Sequence, residues 1–281
     1  VNKKHSRRTR IAAAAGVALV AVTTATAAPA YAAPGNEPSF GQIFDAAGDY
    51  LQHARVSNMS SEAPSLFGLF SNDSPDVDRQ SKVAQRRTSC TSVVQIGDST
   101  SVESDDTAKV ANSDDRISAQ YKRVGAKTVT LNASRGRSVV ERVDGKPNAL
   151  EAIDAELSRG KRGCWVIAMG VNDAAHIADG SLVSARERID GVMRKLDGQK
   201  VLWPTVMTTN PVDERYDKSH MAAFDDALKK AAGKYTNLHV YDFASETQPF
   251  WYSDGVHYTA TGTVQRNRLF AAALATAYPQ Q

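Results

Sequence analysis

Short apolar runs alternate with segments of helical periodicity from residue 93 to residue 277 of this 281-residue chain. The runs at 93–96, 127–131, 165–169, 200–207 and 238–243 are rich in β-branched or aromatic residues and read as strands. Residues 108–121, 149–157, 182–196, 219–235 and 260–277 read as helices. Such alternation implies a parallel sheet, because a parallel neighbour needs a crossover long enough to hold a helix. Right-handed crossovers place helices on both faces. The expected architecture is therefore α/β, a three-layer α/β/α sandwich around five parallel strands. Pro204 is awkward within the fourth run and predicts an edge strand or a local break there.

Open α/β sheets bind ligands beyond the carboxyl ends of their strands. The first run ends in Gly97-Asp98-Ser99, and the second leads into Asn132-Ala133-Ser134-Arg135-Gly136-Arg137-Ser138. The third ends at Gly170-Val171-Asn172-Asp173, and Asp254-Gly255-Val256-His257 follows the fifth. One rim of the sheet thus collects a serine, a glycine, an asparagine, an aspartate and a histidine. Acyl transfer at a serine requires that set. Ser99 is the expected nucleophile and His257 the expected general base, with an unperturbed imidazole pKa of ~6.5. Asp254, three residues earlier, is placed to orient the imidazole. The amides of Ser99 and Gly136 and the side-chain amide of Asn172 are the expected oxyanion donors. Glycine at 136 lets its N–H approach a substrate closely.

These blocks, in this order, resemble those of the SGNH hydrolases, the GDSL-type esterase and lipase superfamily. The four residues that name the superfamily are matched by Ser99, Gly136, Asn172 and His257, and the resemblance covers residues 90–278. It implies a five-stranded, flavodoxin-like parallel sheet with the first strand between the second and third. It also implies a serine ester hydrolase that works through an acyl-enzyme. Gly136 has the loosest surrounding block, and Gly125, the alternative by residue type, precedes its strand at the wrong end. An O-acyltransferase, with a sugar hydroxyl replacing water, uses the same half-reaction. A binding module of the cell envelope that keeps the fold without the chemistry is the third reading.

The amino-terminal region differs in character. Lys3, Lys4, Arg7, Arg8 and Arg10 precede an apolar run at 11–22 that is short for a bilayer span, and Ala30-Tyr31-Ala32 has a small-x-small cleavage pattern. Residues 1–32 are expected to be a secretory signal peptide cut near Ala32, by the general rather than the twin-arginine route. A retained anchor is the competing reading. The signal carries five of the 34 Lys and Arg and no Asp or Glu, so the remainder has 29 basic against 31 acidic residues. The apparent basicity belongs to the signal, and no nucleic-acid partner is expected. Residues 33–87 form an expected amino-terminal arm, with a short amphipathic helix over 40–54. It either packs on the domain or makes a peripheral contact with the cell envelope. Residues 88–281 form the expected hydrolase domain. A monomer, secreted or in the cell envelope, acting on a small acyl ester, acylated glycan or glycolipid, is expected.

Cys90 and Cys164 lie seven residues before Gly97 and six before Gly170, at the opposite ends of their strands from the motifs. An even count in an exported chain favours a disulfide. If the strands are parallel neighbours ~4.8 Å apart, the pair is within bridging range, and the superfamily's strand order makes them neighbours. No G-x-S-x-G surrounds Ser99, and no G-x-G-x-x-G or P-loop is present. His53, His176, His220, His239 and His257 show no metal-ligand spacing, so neither metal nor cofactor is expected. Arg135, Arg137, His176 and Trp251 are possible substrate-lining residues. Solvated arginines, a loop histidine and a core tryptophan are the plainer alternatives. Trp165 and Trp203 are expected in the core, and Asp98 and Asp173 are expected to brace their loops.

Overall fold

A computed structural model describes residues 86–281. The expected signal peptide, the 40–54 helix and all but the last two residues of the 33–87 arm lie outside the described residues. Strands β1 (Ser92–Gly97), β2 (Thr128–Ala133), β3 (Cys164–Ala168), β4 (Lys200–Pro204) and β5 (Leu238–Tyr241) form one parallel sheet in the order β2-β1-β3-β4-β5. The chain leaves β1 toward one edge and returns to its other side at β3. This reversal opens a crevice beyond the carboxyl end of β1.

The α-helices of the described residues are α1 (Ser99–Val102), α2 (Ile117–Arg123), α3 (Ala149–Ser158), α4 (Val171–Ala178), α5 (Ala185–Lys195), α6 (Lys218–Ala232) and α7 (Ala260–Ala277). Strand residues alternate between two cores. Val94, Ile96, Trp165, Ile167 and Trp203 pack with Ile153 of α3, Ile189 and Val192 of α5 and Phe224 of α6. Val93, Val166 and Leu202 pack on the other face with Ile117 and Tyr121 of α2 and Phe270 and Leu274 of α7. Burial on both faces explains why the strands read as continuous apolar runs. Reciprocal capping boxes start α3 (Asn148 with Glu151) and α5 (Ser184 with Glu187), and the Thr259 side chain caps α7.

Three local expectations change. The helix expected over 108–121 shrinks to Ile117–Arg123. Asp106 and Asn112 accept hydrogen bonds from the amides of Ala108 and Asp114, and these turns compete with helix. The strand at 200–207 stops at Pro204 and lies inside the sheet rather than at an edge. The proline is tolerated because it is the last strand residue. The segment after β3, read as a loop, is helix α4, with Asn172 in its first turn.

Val93 of β1 stands opposite Cys164 of β3, and Cys90 reaches Cys164 across a Cα–Cα distance of 5.7 Å to form a disulfide. Replacing both cysteines by alanine is expected to cost about 2–4 kcal/mol of stability. The denaturant midpoint should fall while kcat stays near the parent value, because the bond lies at the far end of the strands from the rim.

Candidate active site

Gly97 ends β1, and Asp98 caps α1. The Asp98 Oδ1 atom accepts hydrogen bonds from the Thr100 amide at 2.9 Å and the Thr100 hydroxyl at 2.7 Å. This brace presents Ser99 as the first helical residue. Ser99 Oγ lies 3.0 Å from His257 Nε2, and His257 Nδ1 lies 2.8 Å from Asp254 Oδ2. The other Asp254 oxygen accepts hydrogen bonds from the backbone amides of Val256 (2.9 Å) and His257 (2.7 Å). Partial burial raises the Asp254 pKa, but the hydrogen bonds from His257 and Val256 outweigh it and hold the carboxyl at about 2. Asp254 is thus ionised near neutral pH, and its loop is fixed by its own side chain.

Gly255 lies inside that loop with φ +86°, and a Cβ there would come within 2.4 Å of the Thr209 carbonyl oxygen. The Thr209 amide in turn donates to Gly255 O at 2.7 Å. The histidine loop is therefore clamped directly against the segment that follows β4. Only a residue without a side chain allows so close an approach.

Asn172 is 6% exposed. Its Nδ2 donates to the Arg137 carbonyl at 2.9 Å, and its Oδ1 accepts from the Tyr216 hydroxyl at 3.1 Å. The amide orientation follows, because a carbonyl oxygen can only accept. Gly136 adopts φ +72°, and a Cβ there would press to 3.1 Å from Val143. The Ser99 and Gly136 amides have no acceptor among the described residues. A cleft of about 470 Å³ is lined by Ser99, Gly136, Asn172, Asp254 and His257, with Arg135 and Tyr216 at its sides. Pro211, Val212 and Val256 supply an apolar wall.

The rim arginine expectation divides. Arg135 lines the cleft and pairs with Glu103 at 3.1 Å. Arg137 does not face the cleft and leaves the substrate-lining set. It is 6% exposed. Its guanidinium donates to the carbonyls of Gly97 (3.2 Å), Asn132 (2.7 Å) and Pro147 (3.2 Å) and to the Asn132 side chain (3.0 Å). It ties the ends of β1 and β2 together. His176 is half-buried on α4, outside the cleft lining. Trp251 is also withdrawn from the lining set. It is buried in the core beside Tyr252 and Tyr258, and its carbonyl accepts from the Thr259 amide. Trp165 and Trp203 are fully buried.

Asp173 braces the site from behind. Its Oδ1 accepts from the Val139 amide (2.8 Å) and from Arg188 (2.9 Å). Arg188, itself fully buried, also pairs with the Glu141 carboxylate and donates to Ser181 Oγ at 2.8 Å. This network fixes the segment after Gly136 against α4 and α5. Tyr216, the 211–213 wall and Arg188 were not anticipated from the sequence. The one available signal was position: Asn210-Pro211 follows the tip of the fourth strand and marks a turn on the same rim.

The model of the GDSL-like Lipase/Acylhydrolase family matches residues 96–263. The chain belongs to this family. As a GDSL-like acylhydrolase of the SGNH type, it is an ester hydrolase. No curated protein matches the chain. Among solved structures, a carbohydrate acetylesterase family member from Sinorhizobium meliloti is 18% identical, with a TM-score of 0.53, covering 66% of this chain and 98% of that one. A lipase/acylhydrolase from Enterococcus faecalis is 17% identical, with a TM-score of 0.52 and coverages of 68% and 98%. A GDSL-like lipase from Bacteroides thetaiotaomicron is 14% identical, with a TM-score of 0.51 and coverages of 72% and 97%. At these identities the likeness establishes the shared fold.

Proposed function

We propose that this acylhydrolase is an exported serine esterase that removes an acyl group from an envelope or extracellular glycan or glycolipid. The observation that carries the chemistry is the continuous relay from Ser99 Oγ to His257 Nε2 (3.0 Å) and from His257 Nδ1 to Asp254 Oδ2 (2.8 Å). In the first half-reaction His257 Nε2 takes the Ser99 proton as Oγ attacks the ester carbonyl carbon. The carbonyl oxygen becomes an oxyanion facing the amides of Ser99 and Gly136 and Asn172 Nδ2. The imidazolium, stabilised by Asp254, then gives its proton to the departing alcohol oxygen, leaving an acyl-Ser99 ester. In the second half, water attacks that ester, with its proton passing to His257. The tetrahedral intermediate collapses to free acid, and Ser99 Oγ recovers its proton.

The disulfide supports an oxidising destination. The open cleft is lined both by apolar residues and by Arg135, which supports an acyl group seated against Pro211, Val212 and Val256 and a polar leaving group near the arginine. A panel of p-nitrophenyl esters from acetyl to long-chain acyl tests this. The panel reads out the acyl length the cleft takes, and a fluorophosphonate probe should label the protein. Failure to label would overturn the covalent mechanism. Acyl transfer to an added sugar in preference to water would reassign the reaction to transfer. Asn172→Ala should lower kcat roughly 10²–10³-fold, as expected for loss of one oxyanion donor.

A further inference from the structure

We propose that Tyr216 is a positioning residue that sets the side-chain amide of Asn172 as an oxyanion donor. This rests on the reading of Asn172 given above. Two groups hold that amide. The Arg137 carbonyl takes one N–H at 2.9 Å, and the Tyr216 hydroxyl donates to Oδ1 at 3.1 Å. The remaining N–H is left for the cleft. Without the tyrosine, rotation of the amide about its last bond is opposed by a single hydrogen bond. A donor on Oδ1 also draws electron density from the amide nitrogen, which makes its N–H a stronger donor.

Tyr216 is built into this position. It ends the 3₁₀ turn Glu214–Tyr216, whose first turn is capped by the Asp213 side chain. Its own carbonyl is held by Thr208 Oγ1 at 2.6 Å. The same 208–216 segment donates to Gly255 O from Thr209, and Pro211 to Asp213 form the cleft wall. One segment after β4 therefore touches the histidine loop, the substrate cleft and the oxyanion amide. Burial raises the Tyr216 pKa above its ordinary value, so the phenol keeps its proton as a donor throughout the working pH range.

The test is a double-mutant cycle with p-nitrophenyl acetate. Tyr216→Phe should lower kcat roughly tenfold, the scale of one neutral hydrogen bond, with KM changed by less than about twofold. The melting temperature should stay near that of the parent. In an Asn172→Ala background, adding Tyr216→Phe should change kcat by less than about twofold, because the group it positions is gone. If Tyr216→Phe leaves kcat unchanged while Asn172→Ala lowers it, the inference fails and the Asn172 reading stands. If the two effects multiply, Tyr216 acts independently of Asn172, and the inference again fails. If Asn172→Ala alone leaves kcat unchanged, the oxyanion reading itself falls.

Discussion

Ser99→Ala is expected to lower kcat for ester hydrolysis by on the order of 10⁵–10⁶-fold and to abolish fluorophosphonate labelling. The magnitude follows from the loss of the only atom that forms the acyl bond. His257 can still activate water, and the oxyanion donors still polarise a bound carbonyl, so a small residual rate should persist above the uncatalysed reaction. Stability should change by less than about 0.5 kcal/mol. Among the described residues the Ser99 hydroxyl hydrogen-bonds to His257, while the brace around it belongs to Asp98 and Thr100. Substantial activity in this variant, with the melting temperature intact, would remove Ser99 from the mechanism and leave the relay without a nucleophile.

Arg188→Met is expected to destabilise the domain by about 3–5 kcal/mol, lowering its melting temperature by roughly 10 °C. Arg188 and Asp173 both have fully buried side chains. Methionine fills much of the arginine's volume but leaves without its cation an aspartate whose pKa burial already raises to about 6, so Asp173 must either stay buried as an unpaired charge or take up a proton, and both outcomes are costly. A loss below about 1 kcal/mol would show that Asp173 does not depend on Arg188 for its solvation. The network also predicts a signature in acid. Burial opposes ionisation of Glu141, but hydrogen bonds from Arg188, Ser138 and Ser181 hold its pKa at about 2, against an ordinary 4.5. Its contribution is full above the ordinary value and is lost as pH falls from there toward about 2. The variant lacking Arg188 should lose the arginine's share of that contribution, so its disadvantage against the parent should narrow in strong acid. Activity should fall as well, because the segment carrying Gly136 is held against α4 through this arginine.

Parts of this site were legible in the sequence because of where parallel sheets place chemistry. Ser99, Gly136, Asn172 and the Asp254–His257 loop all follow apolar runs, so the strand pattern alone put them on one rim. The two arginines beside Gly136 show where that reasoning stops. Arg135 and Arg137 are the same residue type two positions apart, yet one lines the cleft and the other is buried on main-chain carbonyls. The backbone reverses between them at Gly136, with φ +72°, and no periodicity encodes that reversal. Tyr216 was hidden for a related reason. It sits in a polar, irregular stretch, and its partner is 44 residues away. Helix α4 was obscured because Asn172-Asp173 at its start is ordinary loop chemistry, and eight residues give little periodicity. The shortened helix at Ile117 reflects a contest between side-chain and backbone acceptors that composition does not weigh.

The span of the catalytic relay has a consequence for when this chain becomes reactive. Ser99 and His257 are 158 positions apart, just past the tip of β1 and on the loop just before α7. A nascent chain can fold β1 and β3 together and close its disulfide while its serine still has no base. The proton acceptor proposed for that hydroxyl comes from the loop between β5 and α7. The carboxyl-terminal end is also tied to the first described residues, with the Ser89 amide donating to the Tyr278 carbonyl. Formation of the relay thus needs both ends of the domain, and a fragment lacking the Asp254–His257 loop is expected to be inactive toward esters.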